Sequence, residues 1–178
     1  MPRRQAITLL SSLLLLGLTS CGLRVSQCQQ LIDTLSEGQA FSLEYEQDSE
    51  ASLARFSCAQ NLPVLKAAAA DNMSIFQMAS ARSCLLAQDI ASLELEVEQL
   101  QEYQTQYTAV RTQQSAALTT AKDATQLLAE VESEEAFRED FGRFQAQTDS
   151  AYSALQSIDA EESQLIDGIN AYCESPAQ

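Results

Sequence analysis

The chain has 178 residues, 46% of them hydrophobic, and its 10 Lys+Arg against 25 Asp+Glu give a formal charge of −15 with no histidine at all. That length and apolar content suffice for one or two domains with a core. So anionic an exterior repels phosphate, which argues against nucleic acid as a partner, and without histidine the usual proton shuttle and the commonest transition-metal ligand are both missing.

At the N-terminus, Arg3 and Arg4 precede an apolar run from Ile7 to Leu18, and Leu18-Thr19-Ser20-Cys21 closes it. A basic start, a short apolar stretch and small residues at its end describe a secretory signal. The run is interrupted by Ser11, Ser12 and Gly17 and falls short of the ~20 residues that span a bilayer. Leu18-Thr19-Ser20-Cys21 resembles the lipobox of bacterial lipoproteins, a resemblance confined to these first residues. It implies a diacylglyceryl group on the Cys21 thiol, cleavage before that residue, and acylation of the freed N-terminus. At ~0.8 kcal/mol per buried methylene, two or three acyl chains hold a protein on a membrane. The plainer reading is an ordinary secretory signal with a chance cysteine. Arg3-Arg4 also fits the start of a twin-arginine signal, whose remaining positions match poorly.

The expected organisation is a signal peptide over 1–20, an anchor segment over 21–24, a helical domain over 25–174 and a tail over 175–178. Loss of residues 1–20 takes two arginines and no acid, moving the charge from −15 to −17. By lipoprotein convention Gly22, not being aspartate, favours the outer membrane of a Gram-negative cell, on its periplasmic or surface face.

Beyond the anchor, glycine and proline are scarce, and good helix formers dominate. No run alternates like a Val/Ile/Thr-rich strand bounded by turns, so the expected class is all-α, an antiparallel bundle of about four helices. Cys28, Leu31 and Leu35 define a first helix that Gly38 ends or loosens. Phe41 to Tyr45 alternates like a strand but also fits helical spacing, with helix preferred. Asp48 or Ser49 is expected to cap a segment carrying Leu53, Phe56 and Leu62, which Pro63 kinks or restarts. Asn72 is a candidate cap for a face of Ile75, Ala79, Leu86 and Ile90.

Leu93, Val97, Leu100, Tyr103, Tyr107 and Val110 start a second stripe. It continues past a core-facing Gln114 through Ala117, Ala121, Ala124, Leu128 and Val131, a helix of roughly 57 Å at 1.5 Å per residue. Its alanine-rich half predicts a closely packed partner. Ser133, followed by Glu134 and Glu135, supplies a cap and first-turn acids for the last helix. There Phe137, Phe141, Phe144, Thr148, Ala151, Leu155, Ile158, Glu162, Leu165, Ile169 and Tyr172 recur at spacings of four and three, the mark of one continuous buried face. A break near Asp159 is the alternative, since Asp159 to Glu162 reads as a second capping box.

Cys28, Cys58, Cys84 and Cys173 remain after Cys21, an even number that in an exported protein reads as two disulfides with three possible connectivities. An antiparallel bundle with an even number of helices brings the first and last cysteine together. That favours Cys28–Cys173 and leaves Cys58–Cys84; the alternative is one or more free, buried cysteines. None of the spacings forms a CxxC redox pair.

Ile169-Asn170-Ala171-Tyr172-Cys173, an early cysteine followed by Leu31-Ile32, and Leu100-Gln101-Glu102-Tyr103-Gln104-Thr105-Gln106-Tyr107 together resemble small, uncharacterised helical lipoproteins of cyanobacterial type. The resemblance covers the last half of the chain plus Cys28. It implies a bundle closed by Cys28–Cys173 and no known activity. The stretch from Cys58 to Cys84, with Pro63 and Asn72, departs from that pattern and leaves the second helix's length and straightness open.

Candidate chemistry is thin. Glu94, Glu98 and Glu102, with Glu96 nearby, read as a solvated strip, because a calcium loop needs ligands converging from a tight turn. Glu130, Glu132, Glu134 and Glu135 read likewise. Carboxylate di-iron sites in bundles need histidine, and no G-x-S-x-G or S-x-x-K appears. Phe137, Phe141 and Phe144 with Tyr103 and Tyr107 are either core or the lining of an apolar pocket. Gln99, Gln101, Gln104, Gln106, Gln113 and Gln114 form a neutral face, either solvated or a contact surface. The expected function is a membrane-anchored, non-enzymatic interaction or structural module of the cell envelope. No metal, cofactor, nucleic acid or small ligand is expected, and another envelope protein is the expected partner. The alternative is a periplasmic carrier or sensor that binds a small apolar ligand or cation within the bundle.

Overall fold

The computed structural model describes the backbone of residues 5–175 and the side chains of residues 22–175. Within them the chain forms four helices and no strand: α1 (Gln5–Ser57), α2 (Leu62–Ala91), α3 (Glu98–Glu130) and α4 (Glu134–Glu174). The all-α expectation holds, and so does the helix count.

α1 is one uninterrupted helix. Cys28, Leu31, Leu35, Gly38, Phe41 and Ser52 fall on its buried side, and the spacing of three and four persists straight through Gly38. Gly38 therefore does not end the helix, and Asp48 and Ser49 lie inside it rather than capping a new one. Phe41 and Tyr45 sit one turn apart, with ring centroids 6.4 Å from each other. The helix stops where Ala59 N–H turns back to Phe56 O, 3.1 Å away. Asn61 then caps α2, its side-chain oxygen accepting from Val64 N–H at 3.1 Å. Pro63 occupies the first turn, where a missing N–H costs nothing, so it restarts the chain rather than kinking it. Asn72 is buried midway along α2 and caps nothing.

The stripe that begins at Leu93 divides between two elements. Residues 92–97 form the connection and α3 starts at Glu98, although Leu95 is buried. The α1 residue Gln27 holds that connection, its amide oxygen accepting from Glu96 N–H at 3.0 Å and Val97 N–H at 3.1 Å. Ser133 caps α4 as expected, accepting from Ala136 N–H at 3.1 Å. α4 runs past Asp159 without a break.

Short connections make sequential helices antiparallel neighbours, and the cross-helix pairs agree. Arg82 meets Glu44 while Arg55 meets Asp71; Ser83 bonds Gln114 while Lys66 Nζ donates to Val131 O. Tyr103 reaches Gly168 O while Tyr107 reaches Glu162. α2 and α3 pack most intimately, Ser80 Oγ donating to Ser115 O at 2.9 Å. The buried Ala68, Ala69 and Ala79 of α2 and Ala117, Ala121 and Ala124 of α3 match the expected close approach. α1 lies mainly against α2 and only touches α4.

The disulfide Cys28–Cys173 joins α1 to the end of α4 across a sequence separation of 145. The second expected bridge is not formed. Cys58 and Cys84 are both exposed and free. Cys58 sits at the α1–α2 turn, whereas Cys84 lies 22 residues beyond Leu62 in the uninterrupted α2, roughly 33 Å along it at 1.5 Å per residue. A disulfide tolerates Cα atoms no more than ~7 Å apart.

Candidate functional site

Two internal features stand out, a polar cluster at mid-bundle and a cavity at the end remote from the disulfide. The cluster centres on Arg111, which is fully buried, as is Tyr107. Arg111 Nη1 donates to Gln114 Oε1 at 2.7 Å, and Nε and Nη2 donate to Tyr107 Oη at 3.2 and 2.6 Å. Nη2 also pairs with the Glu162 carboxylate, to which Tyr107 donates at 2.5 Å. Ser83 of α2 donates to the same Gln114 oxygen at 2.9 Å. Burial pushes the Tyr107 phenol well up against the pull of Arg111, and Glu162 adds to the rise.

Gly38 is the fourth wall. A Cβ there would stand 2.7 Å from Leu86 Cδ2 and 2.8 Å from Arg111 Nη2. The glycine thus lets α1 lie over the guanidinium, a close backbone approach that only a missing side chain permits. All four helices meet at this cluster. Each of the three Arg111 guanidinium nitrogens is engaged, by Tyr107, Gln114 and Glu162, and a hydrogen-bonded network of this kind fixes helix register. Sequence reasoning placed Gln114 and Glu162 at core-facing positions but missed Arg111. The available signal was Glu162 itself, since a lone acid within a buried stripe needs a cation on a neighbouring stripe.

The cavity lies between all four helices near the α1–α2 and α3–α4 turns and has a volume of about 150 Å³. Phe56 of α1, Phe76 of α2 and Phe144 and Tyr152 of α4 form its aromatic walls, with Asn72 and Thr125 among its polar lining. Asn72 is 7% exposed and its amide finds no partner among the described residues. Thr125 Oγ donates to Ala121 O at 2.8 Å. Nearby on α1, Ser49 Oγ and Ser52 Oγ are buried without hydrogen-bond partners among the described residues.

The aromatic residues expected as one group are divided. Phe144 lines the cavity, Phe137 borders a separate surface cleft, Tyr107 belongs to the polar cluster, and Tyr103 donates to Gly168 O at 3.1 Å. Phe141 is 44% exposed, so the buried face of α4 is not continuous over its first turns.

The glutamines do not form one surface. Gln114 is buried, Gln101 donates to Leu95 O at 2.6 Å, and Gln104 donates to Ile90 O and Leu93 O at 2.7 and 2.9 Å. Those two amides tie down the α2–α3 connection, leaving Gln106 and Gln113 exposed. Glu94 and Glu96 lie in that connection, and Glu98 and Glu102 on α3; all four are exposed, as are Glu130, Glu132, Glu134 and Glu135. Among the described residues, no group of three or more Cys, Asp or Glu side chains converges as a metal site. No helix among the described residues is long and apolar enough to cross a membrane. The side chain of Cys21 lies outside the described residues. No family model, curated protein or solved structure matches the chain.

Proposed function

We propose that the chain is a lipid-anchored protein of the bacterial cell envelope, held through Cys21 and acting as a non-enzymatic structural or interaction module. The observation that supports this reading is where the bundle is fastened. Arg24, three residues after Cys21, donates to Tyr172 O, and at 2.8 Å to Ser175 O and Ser175 Oγ. Its guanidinium stands 4.5 Å from the Tyr172 ring centroid, a cation–π contact. One turn further, Cys28 is bonded to Cys173. A tether at Cys21 pulls on α1 at its junction with α4, so force passes into two helices and cannot peel α1 away alone.

Two further points support the reading. The principal buried polar cluster is consumed in joining helices. The net charge of −17 expected after processing keeps the body clear of anionic headgroups while the acyl chains hold it at the membrane, with the outer membrane favoured and another envelope protein as partner.

Replacement of Cys21 by serine tests the anchor. The expected result is an unprocessed, larger species that no longer partitions as an acylated protein; unchanged size and membrane fractionation would overturn the anchor. For the module, photo-crosslinkers at the exposed Gln106 and Gln113 should capture one stoichiometric envelope protein in intact cells.

A further inference from the structure

We infer that the cavity between Phe56, Phe76, Phe144 and Tyr152 is a binding site for a compact aromatic molecule, about one ring in size, that carries one hydrogen-bonding group. This inference is independent of the anchor. Size comes first. The space measures about 150 Å³ and opens to solvent beside the exposed Leu53 and Tyr152; a cavity of that volume is large enough for benzene.

Shape and chemistry narrow the class. Four aromatic side chains from three helices surround the space, and aromatic rings favour offset or edge-to-face contact with another ring. The rest of the lining includes short side chains: Ala121 and Thr125 of α3, and Thr148 between Phe144 and Tyr152 on α4. The space therefore results from short side chains at positions whose helical phase calls for large ones. An occupant would withdraw these aromatic walls from water. Asn72 supplies the polar determinant. It is more than nine-tenths buried, lines the cavity, and has no partner among the described residues. Its amide keeps contact with solvent, since Ser49 Oγ and Ser52 Oγ are the side-chain atoms buried without a partner among the described residues; a hydroxyl or ring N–H on the ligand would replace that water. A purely hydrocarbon ligand would leave it unsatisfied.

Because the chain has no tryptophan, indole can serve as a fluorescent probe excited where tyrosine does not absorb. Indole is titrated into the full chain, with phenol and toluene as competitors and the Thr148→Leu chain as the blank for partitioning. The expected result is saturable one-to-one binding, with phenol competing roughly tenfold better than toluene, the worth of one buried hydrogen bond. Thr148→Leu should abolish it while far-UV circular dichroism stays native. Asn72→Leu should retain toluene binding and bring phenol and toluene to parity, which tests the assignment even if Thr148→Leu does not fold. Absence of saturable indole binding, binding that survives in a natively folded Thr148→Leu chain, or a phenol preference that survives Asn72→Leu would overturn the proposal.

Discussion

At the disulfide end of the bundle, Leu31, Leu100 and Ile169 are completely buried, and Gln27, Gln101 and Gln104 pin the α2–α3 connection by its backbone. At the opposite end the same helical periodicity yields a cavity, two buried serine hydroxyls without partners among the described residues, and an exposed Phe141. There Phe137, Phe141 and Phe144 contact one another along α4, with successive ring centroids 5.4 and 6.1 Å apart. The difference teaches that a stripe specifies which residues are available for a core, whereas burial requires an opposing surface at the right distance. α1 is fastened to α4 at Arg24 and Cys28; alongside Glu162 a surface groove bordered by Leu43, Asp159 and Ile166 runs between the two helices.

Four perturbations sharpen that contrast, in decreasing order of expected effect. Arg111→Met leaves the Glu162 carboxylate buried without its cation and should cost about 3–5 kcal/mol. Combining it with Glu162→Leu should restore much of that stability, because a buried pair replaced by apolar side chains is often neutral. A denaturant-unfolding cycle on the single and double variants measures this; additive losses would show that the pair does not act as a unit. Next, Cys28→Ser with Cys173→Ser should cost about 2–5 kcal/mol and raise amide exchange chiefly around residues 24–35 and 165–174.

The glycines compare the regions directly. Gly38→Ala inserts a methyl against Leu86 and Arg111 and should destabilise by about 1–3 kcal/mol. Gly142→Ala has nothing within 4 Å of its Cβ and should stabilise α4 by about 0.5–1 kcal/mol. Thermal melts of the two variants moving in the same direction would contradict the account. The smallest effect concerns pH. Burial pushes the Tyr45 phenol from 10.0 up to about 12. The unfolded chain loses this proton first, so the stability linked to Tyr45 is complete below pH 10 and is lost as pH rises through about 12. Tyr45→Phe should flatten that part of the alkaline unfolding curve, and an unchanged slope would exclude Tyr45 as a source.

Much of this architecture is written locally. Ser133-Glu134-Glu135 marks a helix start through a side-chain oxygen that accepts from its own first turn, Pro63 marks the restart that Asn61, rather than Asp48, Ser49 or Asn72, caps, and the stripe from Ala151 to Ile169 names its buried residues outright. Cys28–Cys173 follows from the antiparallel layout. What could not be read depends on contacts between distant segments. Gly38 looks like a helix end until Arg111 is seen beneath it. Leu93 to Val97 keep the phase of α3, so the stripe conceals the connection. A Cys58–Cys84 bridge seemed plausible only while α2 was allowed to bend. The cavity is invisible in the sequence because it arises where Ala121 and Thr125 of α3 and Thr148 of α4 line the same space.

Native-state hydrogen exchange, resolved by residue, tests the uneven packing most directly. The account predicts the slowest exchange around Leu31, Leu100, Tyr107 to Gln114 and Ile169, and opening at lower free energy over residues 49–57 and 134–148. Uniform protection along the bundle, or stronger protection at the cavity end than at the disulfide end, would contradict it.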